Sequence, residues 1–429
     1  MRYSIVADAY EAMEGTTKRL ELTDLLVKLF KETPSEVIDK VVYLTQGKLY
    51  PDFMGVEIGV ADKLAMRAIA HTTGTPLGRV EELYKKTGDI GLVVEELAKA
   101  KAQLTLFTEP LTVERVYDTL DKIAKTTGQG SLDIKLRYLS SLLSDASPKE
   151  AKHILRTVTG KLRLGIADYT VLDALAVAFT GDRENRPELE WAYNISSDLG
   201  AVAKAVTVNG LNGVRSFRIR LGKPIRPMLA ERLESAEEIL AKMGGKSSAE
   251  YKLDGERLQI HKEGRDVHLF SRRLENITSH YPDAVELSQK HIKARQCIVE
   301  AEVVAINEDT GEYLPFQELM HRRRKYGIEE AMQRYPIALN FFDVLYVDGK
   351  DCTHRPYTER RKILEGVVAI SERVKIVPAL ITDKVPEVEK FMEEAITDGC
   401  EGLVIKDLNS IYRAGAREFA WIKLKREYR

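Results

Sequence analysis

Cysteine is scarce: Cys297, Cys352 and Cys400 are the only three in 429 residues, far apart and in no metal-ligand spacing. That excludes a disulfide framework and a four-cysteine zinc module. No uninterrupted apolar run approaches the roughly twenty residues that a membrane-spanning helix needs. Met1-Arg2-Tyr3-Ser4 lacks the apolar core of a signal peptide. Net charge is nearly absent too, since 65 basic and 66 acidic residues leave −1. That excludes a uniformly basic coat and leaves only local basic stripes to be sought. No repeat of fixed period and no low-complexity tract occurs.

Charged residues are abundant at 31%, above the usual quarter, which fits the ion-pair networks of thermophile surfaces. The length predicts two or three domains, each with its own core. Residues 1 to about 215 read as almost all helix, with apolar residues at helical spacing such as Leu22, Leu25, Leu26 and Leu29. Thr33-Pro34-Ser35-Glu36 and Ser147-Pro148-Lys149-Glu150 both have the form of a capping box with proline at the first helical position. Around Arg215 to Pro227 basic and apolar residues alternate between prolines, and the domain boundary is expected there, giving domains 1–216 and 217–429. Beyond Ala249 the pattern is α+β, strand-rich with interspersed helices. Ser235-Ala236-Glu237-Glu238 is a further helix start, and His321 to Lys325 reads as a solvated basic helix end.

Two places in the helical half suggest phosphate contacts. The loop carrying Gly128, Gly130 and Ser131 leads into a helix, whose first N–H groups can hold an anion, although an ordinary capped loop looks the same. Helical spacing sets Lys149, Lys152 and Arg156 on one face, and Lys161 and Arg163 alternate just beyond. Such a face is usually merely solvated, but it also suits tracking of a duplex backbone.

The stretch Glu250-Tyr251-Lys252-Leu253-Asp254-Gly255-Glu256-Arg257 reads as a strand running into a glycine break, with Glu250, Lys252 and Asp254 on one face. Buried unpaired, those charges would cost several kcal/mol, so the face is expected to meet water or a polar cleft. A lysine beside a backbone break suits a nucleophile, with Gly255 letting the main chain approach a phosphate-bearing ligand. Ser271-Arg272-Arg273 sets arginines at a strand exit. Glu300 and Glu302 share a face of an otherwise apolar strand, and such a pair needs a cation. Phe342 stands beside Asp343. Glu401 and Lys406 fall on opposite faces by strict alternation, so both reach one site only if Gly402 makes a bulge. Lys423 and Lys425 share a face opposite Ile422 and Leu424, as a phosphate-binding pair or a lysine-protected edge would.

Lys252-x-Asp254-Gly255-x-Arg257 matches the nucleotidyl-lysine motif of DNA ligases, RNA ligases and mRNA capping enzymes. In order and spacing the later segments resemble the remaining nucleotidyltransferase motifs. The helical half, with Gly160 to Gly165, resembles the DNA-binding domain of archaeal and eukaryotic ATP-dependent DNA ligases. The resemblance implies an all-α DNA-binding domain followed by an α+β adenylation domain of antiparallel sheets. It implies Lys252 as the adenylated lysine, Glu250 as the reader of the adenine amino group, and Arg257, Arg272 and Arg417 as ribose or phosphate contacts. Glu302 and Glu401 would bind ribose or the metal, Phe342 would stack on adenine, and Lys423 and Lys425 would contact the α-phosphate and leaving group. Gly128, Gly130, Ser131, Lys152, Arg156, Lys161 and Arg163 would meet DNA. ATP and Mg²⁺, with Mn²⁺ as a substitute, are the implied cofactors. Nicked duplex DNA and a sliding clamp are the implied partners of a monomeric, cytoplasmic, nucleoid-associated enzyme of replication, repair and recombination. Glu300-Ala301-Glu302 departs from the family's usual Asp-Gly-Glu, a tolerable loss of glycine. Family members continue into an OB-fold domain with a sixth motif, whereas this sequence stops at Arg429. Weak self-adenylation is therefore expected of this chain alone.

The reaction so implied has three displacements at phosphorus: Lys252 takes AMP from ATP, AMP passes to the 5′-phosphate of a nick, and the 3′-hydroxyl displaces it. Lys252 must be neutral to attack, which Lys423, Lys425, Arg257 and a divalent cation would favour by repulsion. Three rival readings share parts of this pattern. An RNA ligase or capping-type nucleotidyltransferase shares the lysine motif but not the helical half. An NAD-dependent ligase would bring a zinc module. A non-catalytic nick-binding module would not need Lys252, Glu302 and Lys423 together.

Overall fold

The computed structural model describes residues 1–102, 109–324 and 326–426. It divides into a helical unit, Met1–Tyr193 with Asp198–Phe217, and a sheet-containing unit, Asn194–Ser197 with Arg218 onwards. The helical unit opens with α1 (Tyr3–Glu14), α2 (Arg19–Lys31), α3 (Ile38–Thr45) and α4 (Asp62–Thr73). It continues through α5 (Leu77–Thr87), α6 (Ile90–Ala102), α7 (Val113–Lys125) and α8 (Ser131–Ser144). Then come α9 (Pro148–Val158), α10 (Asp168–Thr180), α11 (Arg186–Ser196) and α12 (Leu199–Arg215). Leu22, Leu26 and Leu29 of α2 are buried as their spacing predicts, in one core with Phe30, Tyr10, Ile38, Val42, Leu120 and Leu175, while Leu25 is only partly buried. Burial of each such side chain contributes about 1.5–3 kcal/mol.

The two expected capping boxes part company. Ser147 accepts the Glu150 N–H at 3.2 Å and donates its own N–H to Glu150 at 2.9 Å, with Pro148 opening α9. Thr33 instead turns back on the preceding helix, donating to the Leu29 carbonyl at 2.7 Å, and α3 starts only at Ile38.

Lys152 and Arg156 of α9 correct the expectation of a duplex-facing pair. Lys152 is 5% exposed and pairs with Glu11 and, at 3.3 Å, with Glu95. Arg156 pairs with Glu14 and, at 2.6 Å, with Asp89. Asp89 also accepts the N–H groups of Gly91 and Leu92 at the start of α6. A Cβ on Gly91 would stand 2.8 Å from Arg156 Nε and 2.9 Å from Lys152 Cγ, so only glycine lets these two side chains cross α6. His153 is fully buried between them and bonds to Glu11 at 3.0 Å. Burial pushes its imidazole down to about 4. Spacing alone put the two cations on one side of α9; the acids of α1 and α6 made that side an interior one.

Other basic residues remain outside. Lys161 is half-exposed, held by Asp62 at 2.8 Å and the Tyr84 hydroxyl at 2.7 Å. Arg163 is exposed and donates to the carbonyls of Gly160 and Leu162, while Leu162 and Leu164 point inward. Gly128 and Gly130 lie in an exposed loop with φ of +92° and +79°, and Ser131 is the first residue of α8 rather than its cap.

The second unit has two sheets. The first joins β1 (Leu229–Arg232), β2 (Ser247–Lys252), β9 (Ala379–Thr382), β10 (Gly402–Asp407) and β11 (Arg417–Lys425) in the order β1-β11-β10-β2-β9. The second orders β3 (Glu256–Glu263), β4 (Asp266–Ser271), β5 (Gln296–Ala305), β6 (Ile337–Val347) and β7 (Lys350–Asp351) as β4-β3-β5-β6-β7, with β8 (Val374–Ile376) beside β6. Most pairs are antiparallel; β1 with β11 and β6 with β8 run parallel. Five helices accompany them: α13 (Ala236–Met243), α14 (Pro282–His291), α15 (Ile328–Arg334), α16 (Tyr357–Val367) and α17 (Val385–Thr397). In α13 the Ser235 hydroxyl accepts the Glu238 N–H at 3.2 Å. The basic segment at 321–325 closes a 3-10 helix, Phe316–Arg322, and is solvated at His321, Arg323 and Arg324 but not at Arg322. Arg322 is 1% exposed and pairs with Asp283, and Arg323 holds Glu256 at 3.1 Å, while Lys325 lies outside the described residues.

The chain passes from the first sheet to the second at Leu253-Asp254-Gly255, between β2 and β3. A Cβ on Gly255 would lie 2.0 Å from the Val303 carbonyl oxygen of β5. The close approach that this glycine permits is therefore between backbones, at the crossing from sheet to sheet. Ala301, where a glycine was expected, fits because its methyl is fully buried in the apolar core of the second sheet.

Two outcomes are expected in chemical denaturation. Gly255→Ala, which must push back a backbone carbonyl, destabilises the second unit by about 1–3 kcal/mol. Gly245→Ala, with open space around it and an ordinary φ, has no such effect. Lys152→Met keeps the aliphatic stem but takes the cation from partly buried Glu11 and Glu95, costing the helical unit about 3 kcal/mol. An unchanged midpoint for Lys152→Met would return that lysine to the surface.

Candidate active site between the two sheets

A pocket of ≈ 410 Å³ lies between the sheets of the second unit, lined from β2, β3, β5, β6, β10 and β11. Register explains which side chains enter it. Across β2, β10 and β11 the rows Lys252–Gly402–Lys425, Glu250–Val404–Lys423 and Ser248–Lys406–Trp421 lie side by side. Alternate residues of each strand thus share the pocket face, with Tyr251, Leu403 and Ile405 set between them.

Glu401 joins the same pocket although it is five residues from Lys406. The β10 pairing runs through Gly402 without a register shift, so no bulge is involved. Gly402 instead takes φ +157°, and a Cβ there would lie 2.1 Å from the Leu424 carbonyl oxygen. The Glu401 N–H donates to the Lys252 carbonyl at 2.9 Å, and its carboxylate forms an ion pair with Lys252 Nζ. Burial pushes the Glu401 carboxyl up, but the hydrogen bond and charge of Lys252 outweigh it and leave the group below its usual range.

Asp254 and Glu302 complete the acidic group. Asp254 accepts the Phe316 N–H at 3.2 Å, and burial holds its carboxyl above the usual range. Glu302 stands with part of its surface open to the pocket. Burial raises its carboxyl to about 7, against the lowering effect of Lys252, Arg257 and the Gly255 N–H. Three carboxyl groups around one lysine offer oxygen donors, the donor type that hard divalent cations take. Glu302 lacks an ion-pair partner among the described residues, so a cation would offset its burial. Their donor type suits a divalent metal, but among the described residues their ligand atoms do not all lie within 4.8 Å of one another as those of Glu11, Glu14 and His153 do.

The expected pairing of Glu300 is corrected. Its cation is neither a metal nor Lys252 but Arg257, at 2.7 and 3.0 Å, and the Tyr412 hydroxyl joins them. Arg257 also donates to the Met228 carbonyl at 2.7 Å. Arg257 lines the pocket, yet its guanidinium is largely committed to the protein.

Arg272, Lys423 and Lys425 are different. All three line the pocket with Arg417, and none has an ion pair or side-chain hydrogen bond among the described residues. Burial and then the charges of Lys425, Arg417, Lys252 and Arg272 push the Lys423 ammonium down. Burial and then Arg257 and Arg417 do the same to Arg272. Among the described residues Arg417 hydrogen-bonds only to the Ala230 carbonyl, at 3.0 Å. Cations gathered without direct ion-pair partners repel one another, an arrangement that a polyanion relieves.

At the other extreme is Glu250, 2% exposed, held by Lys406 at 2.8 Å, by Arg361 at 3.3 Å and by the Tyr357 hydroxyl. Lys406 Nζ lies 4.1 Å from the centre of the Trp421 ring and 4.9 Å from that of Phe342. Phe342 is half-buried on the pocket wall. The structure thus brings Glu250, Lys252, Arg257, Arg272, Glu302, Phe342, Glu401, Arg417, Lys423 and Lys425 to one pocket. Sequence reasoning missed Trp421 and the outward partners Tyr357 and Arg361, and left Lys406 undecided. Trp421 was readable from its parity with Lys423, whereas helix α16 carried no sign of its target.

Comparisons with known proteins match both halves of the chain. The family model described as "ATP dependent DNA ligase domain" matches residues 227–425, and that described as "DNA ligase N terminus" matches residues 2–176. A DNA ligase of Nitrosopumilus maritimus is 56% identical over 428 residues, and one of Cenarchaeum symbiosum is 54% identical over 429. A probable DNA ligase of Aquifex aeolicus is 50% identical over 432 residues. Each comparison covers 100% of this chain and 73% of the relative. The solved structure Pmar-Lig_Pre shares the fold, with a TM-score of 0.56 at 16% identity over 98% of this chain and 78% of that one. The chain belongs to the ATP-dependent DNA ligase family, enzymes that seal nicks in duplex DNA.

Proposed function

We propose that Lys252 is the nucleophile that takes AMP from ATP, and that the surrounding pocket holds the nucleotide for that step. The observation that carries this is the lysine's position between two kinds of charge, with carboxylates Glu401, Glu302 and Asp254 on one hand and unpaired Arg272, Lys423 and Lys425 on the other. The cations suit the triphosphate, and Phe342 suits the flat face of adenine. Glu250, an acceptor between three donors, suits the adenine amino group. Arg257 supports the pocket wall through Glu300 and comes within reach of the ribose or phosphate side, as does Arg417.

Lys252 Nζ is ion-paired with Glu401 in the resting site, so attack requires that this pair be broken. Lys252 Nζ then bonds to the α-phosphorus as the bond to the pyrophosphate oxygen breaks, leaving a lysyl-AMP phosphoramidate. Lys423 and Lys425 stand where they can neutralise charge on the leaving group. Glu302 and Glu401 would hold Mg²⁺ or Mn²⁺, which when bound offsets the negative charge on phosphate oxygens. AMP then passes to the 5′-phosphate at the nick, and the 3′-hydroxyl displaces it. For the duplex, exposed Arg163, the Gly128–Gly130–Ser131 loop at the start of α8 and half-exposed Lys161 support backbone contacts of the helical unit.

Incubation with Mg²⁺ and ATP labelled at the α-phosphate should leave acid-labile label on Lys252, and none on Lys252→Ala. Label persisting on the alanine protein would end the assignment.

Glu302 gives a pH-dependent prediction. Its carboxyl is raised from 4.5 to about 7, so the fold favours the protonated form. That stability is full below the unfolded value and is lost as pH rises through about 7. Without nucleotide or metal, unfolding midpoints should therefore fall between about pH 5 and pH 7 in the wild type and less so in Glu302→Gln. Mg²⁺ at neutral pH should raise the wild-type midpoint and leave that of Glu302→Gln unmoved; equal responses would remove Glu302 from the metal's ligands.

A further inference from the structure

We infer that Tyr357 and Arg361 of α16, which do not line the pocket, are positioning residues that set the enzyme's choice of nucleobase through Glu250. This rests on the reading of Glu250 as the adenine contact. The two side chains are four residues apart and so project from the same helix face. Both end on the same oxygen: the Tyr357 hydroxyl donates to Glu250 Oε2, and Arg361 Nη1 reaches that atom at 3.3 Å. Lys406 takes the other oxygen, Oε1, at 2.8 Å.

Each carboxylate oxygen has room for two donors. Among the described residues Oε2 meets two donors behind the pocket, and Oε1 meets Lys406 alone. The carboxylate is thereby fixed in rotamer and left as an acceptor with one vacancy. Arg361 also donates through Nη2 to the carbonyl of Val377, a pocket-lining residue, so one guanidinium ties two parts of the wall together. Tyr357 is buried, and its hydroxyl is itself anchored to Ser248 of β2 at 2.9 Å. An acceptor fixed in this way welcomes the 6-amino group of adenine and opposes the 6-carbonyl oxygen of guanine or hypoxanthine. Opposing an acceptor with a buried acceptor costs more than losing a contact, because neither group finds a proton.

Release of Oε2 would let Glu250 swing between rotamers, so selectivity would be lost without any change in the groups that touch phosphate. The test compares lysyl-nucleotide formation from ATP, ITP and GTP by the wild type, Tyr357→Phe, Arg361→Gln and Arg361→Lys. We expect the preference for ATP over ITP to fall on the order of tenfold in Tyr357→Phe and Arg361→Gln, chiefly through a higher KM for ATP. Arg361→Lys, which keeps a charged donor, should recover part of it. Equal losses with ATP and ITP, or an unchanged ratio, would falsify the positioning role. Should Arg361→Gln fail to fold, the near-isosteric Tyr357→Phe decides alone. A wild type that forms no lysyl-nucleotide refutes the assignment of Lys252 instead, so the two failures are distinguishable.

Discussion

The second unit depends on a contact between two backbones. At Gly255 the chain leaves the sheet that carries Lys252 and enters the sheet that carries Glu302, and the Val303 carbonyl sits where a side chain would be. The approach brings the Gly255 N–H to the Glu302 carboxylate and sets Lys252, Asp254 and Glu302 around one space. The nucleophile and the acid facing it are thus held by main chain on both sides, which is stiffer than any arrangement of side chains. Gly402 does the same on the other flank, with the Leu424 carbonyl in place of Val303. Two glycines, each pressed against a neighbouring strand, aim Lys252 and Glu401 at each other.

Charge is handled in two ways by the same chain. In the helical unit Lys152 and Arg156 meet acids from α1 and α6, and the result is a closed network that holds helices together. In the pocket Arg272, Lys423 and Lys425 have no ion-pair partner among the described residues, and neither has the partly buried Glu302. Both halves are electrostatically unfavourable as they stand. A folded protein tolerates such a cost where a ligand will bring the complementary charge, and a nucleotide triphosphate with a divalent cation brings both signs at once. The difference between paired and unpaired cations separates scaffold from site here better than their number does.

Much of the site was legible because strands have a period of two. Parity put Lys252 with Glu250, Glu302 with Glu300 and Lys423 with Lys425, and the registers of β2, β10 and β11 and of β3 with β5 reproduce those faces. Parity failed at Glu401, since a backbone at φ +157° obeys no alternation. It also could not say which of Glu300 and Glu302 faces the ligand, because that depends on Arg257 arriving from the adjacent strand. The helical half was legible as helices, but the face of α9 that carries Lys152 and Arg156 was misread as a surface. Spacing locates a face on α9, but whether that face meets solvent or α1 is a matter of packing.

By itself, then, the sequence determined the class of each half, the strand faces of the charged residues and the family through its ordered motifs, because these rest on local periodicity and on short segments. The tertiary structure alone decided which charges found partners. Lys152 and Arg322 were paired in the interior, Lys423 was left open, and Tyr357 and Arg361 were brought behind Glu250 from a helix more than a hundred residues away. The physical reason is range. A side chain's face follows from its neighbours in the chain, but the charge that it meets is set by residues that only folding brings near.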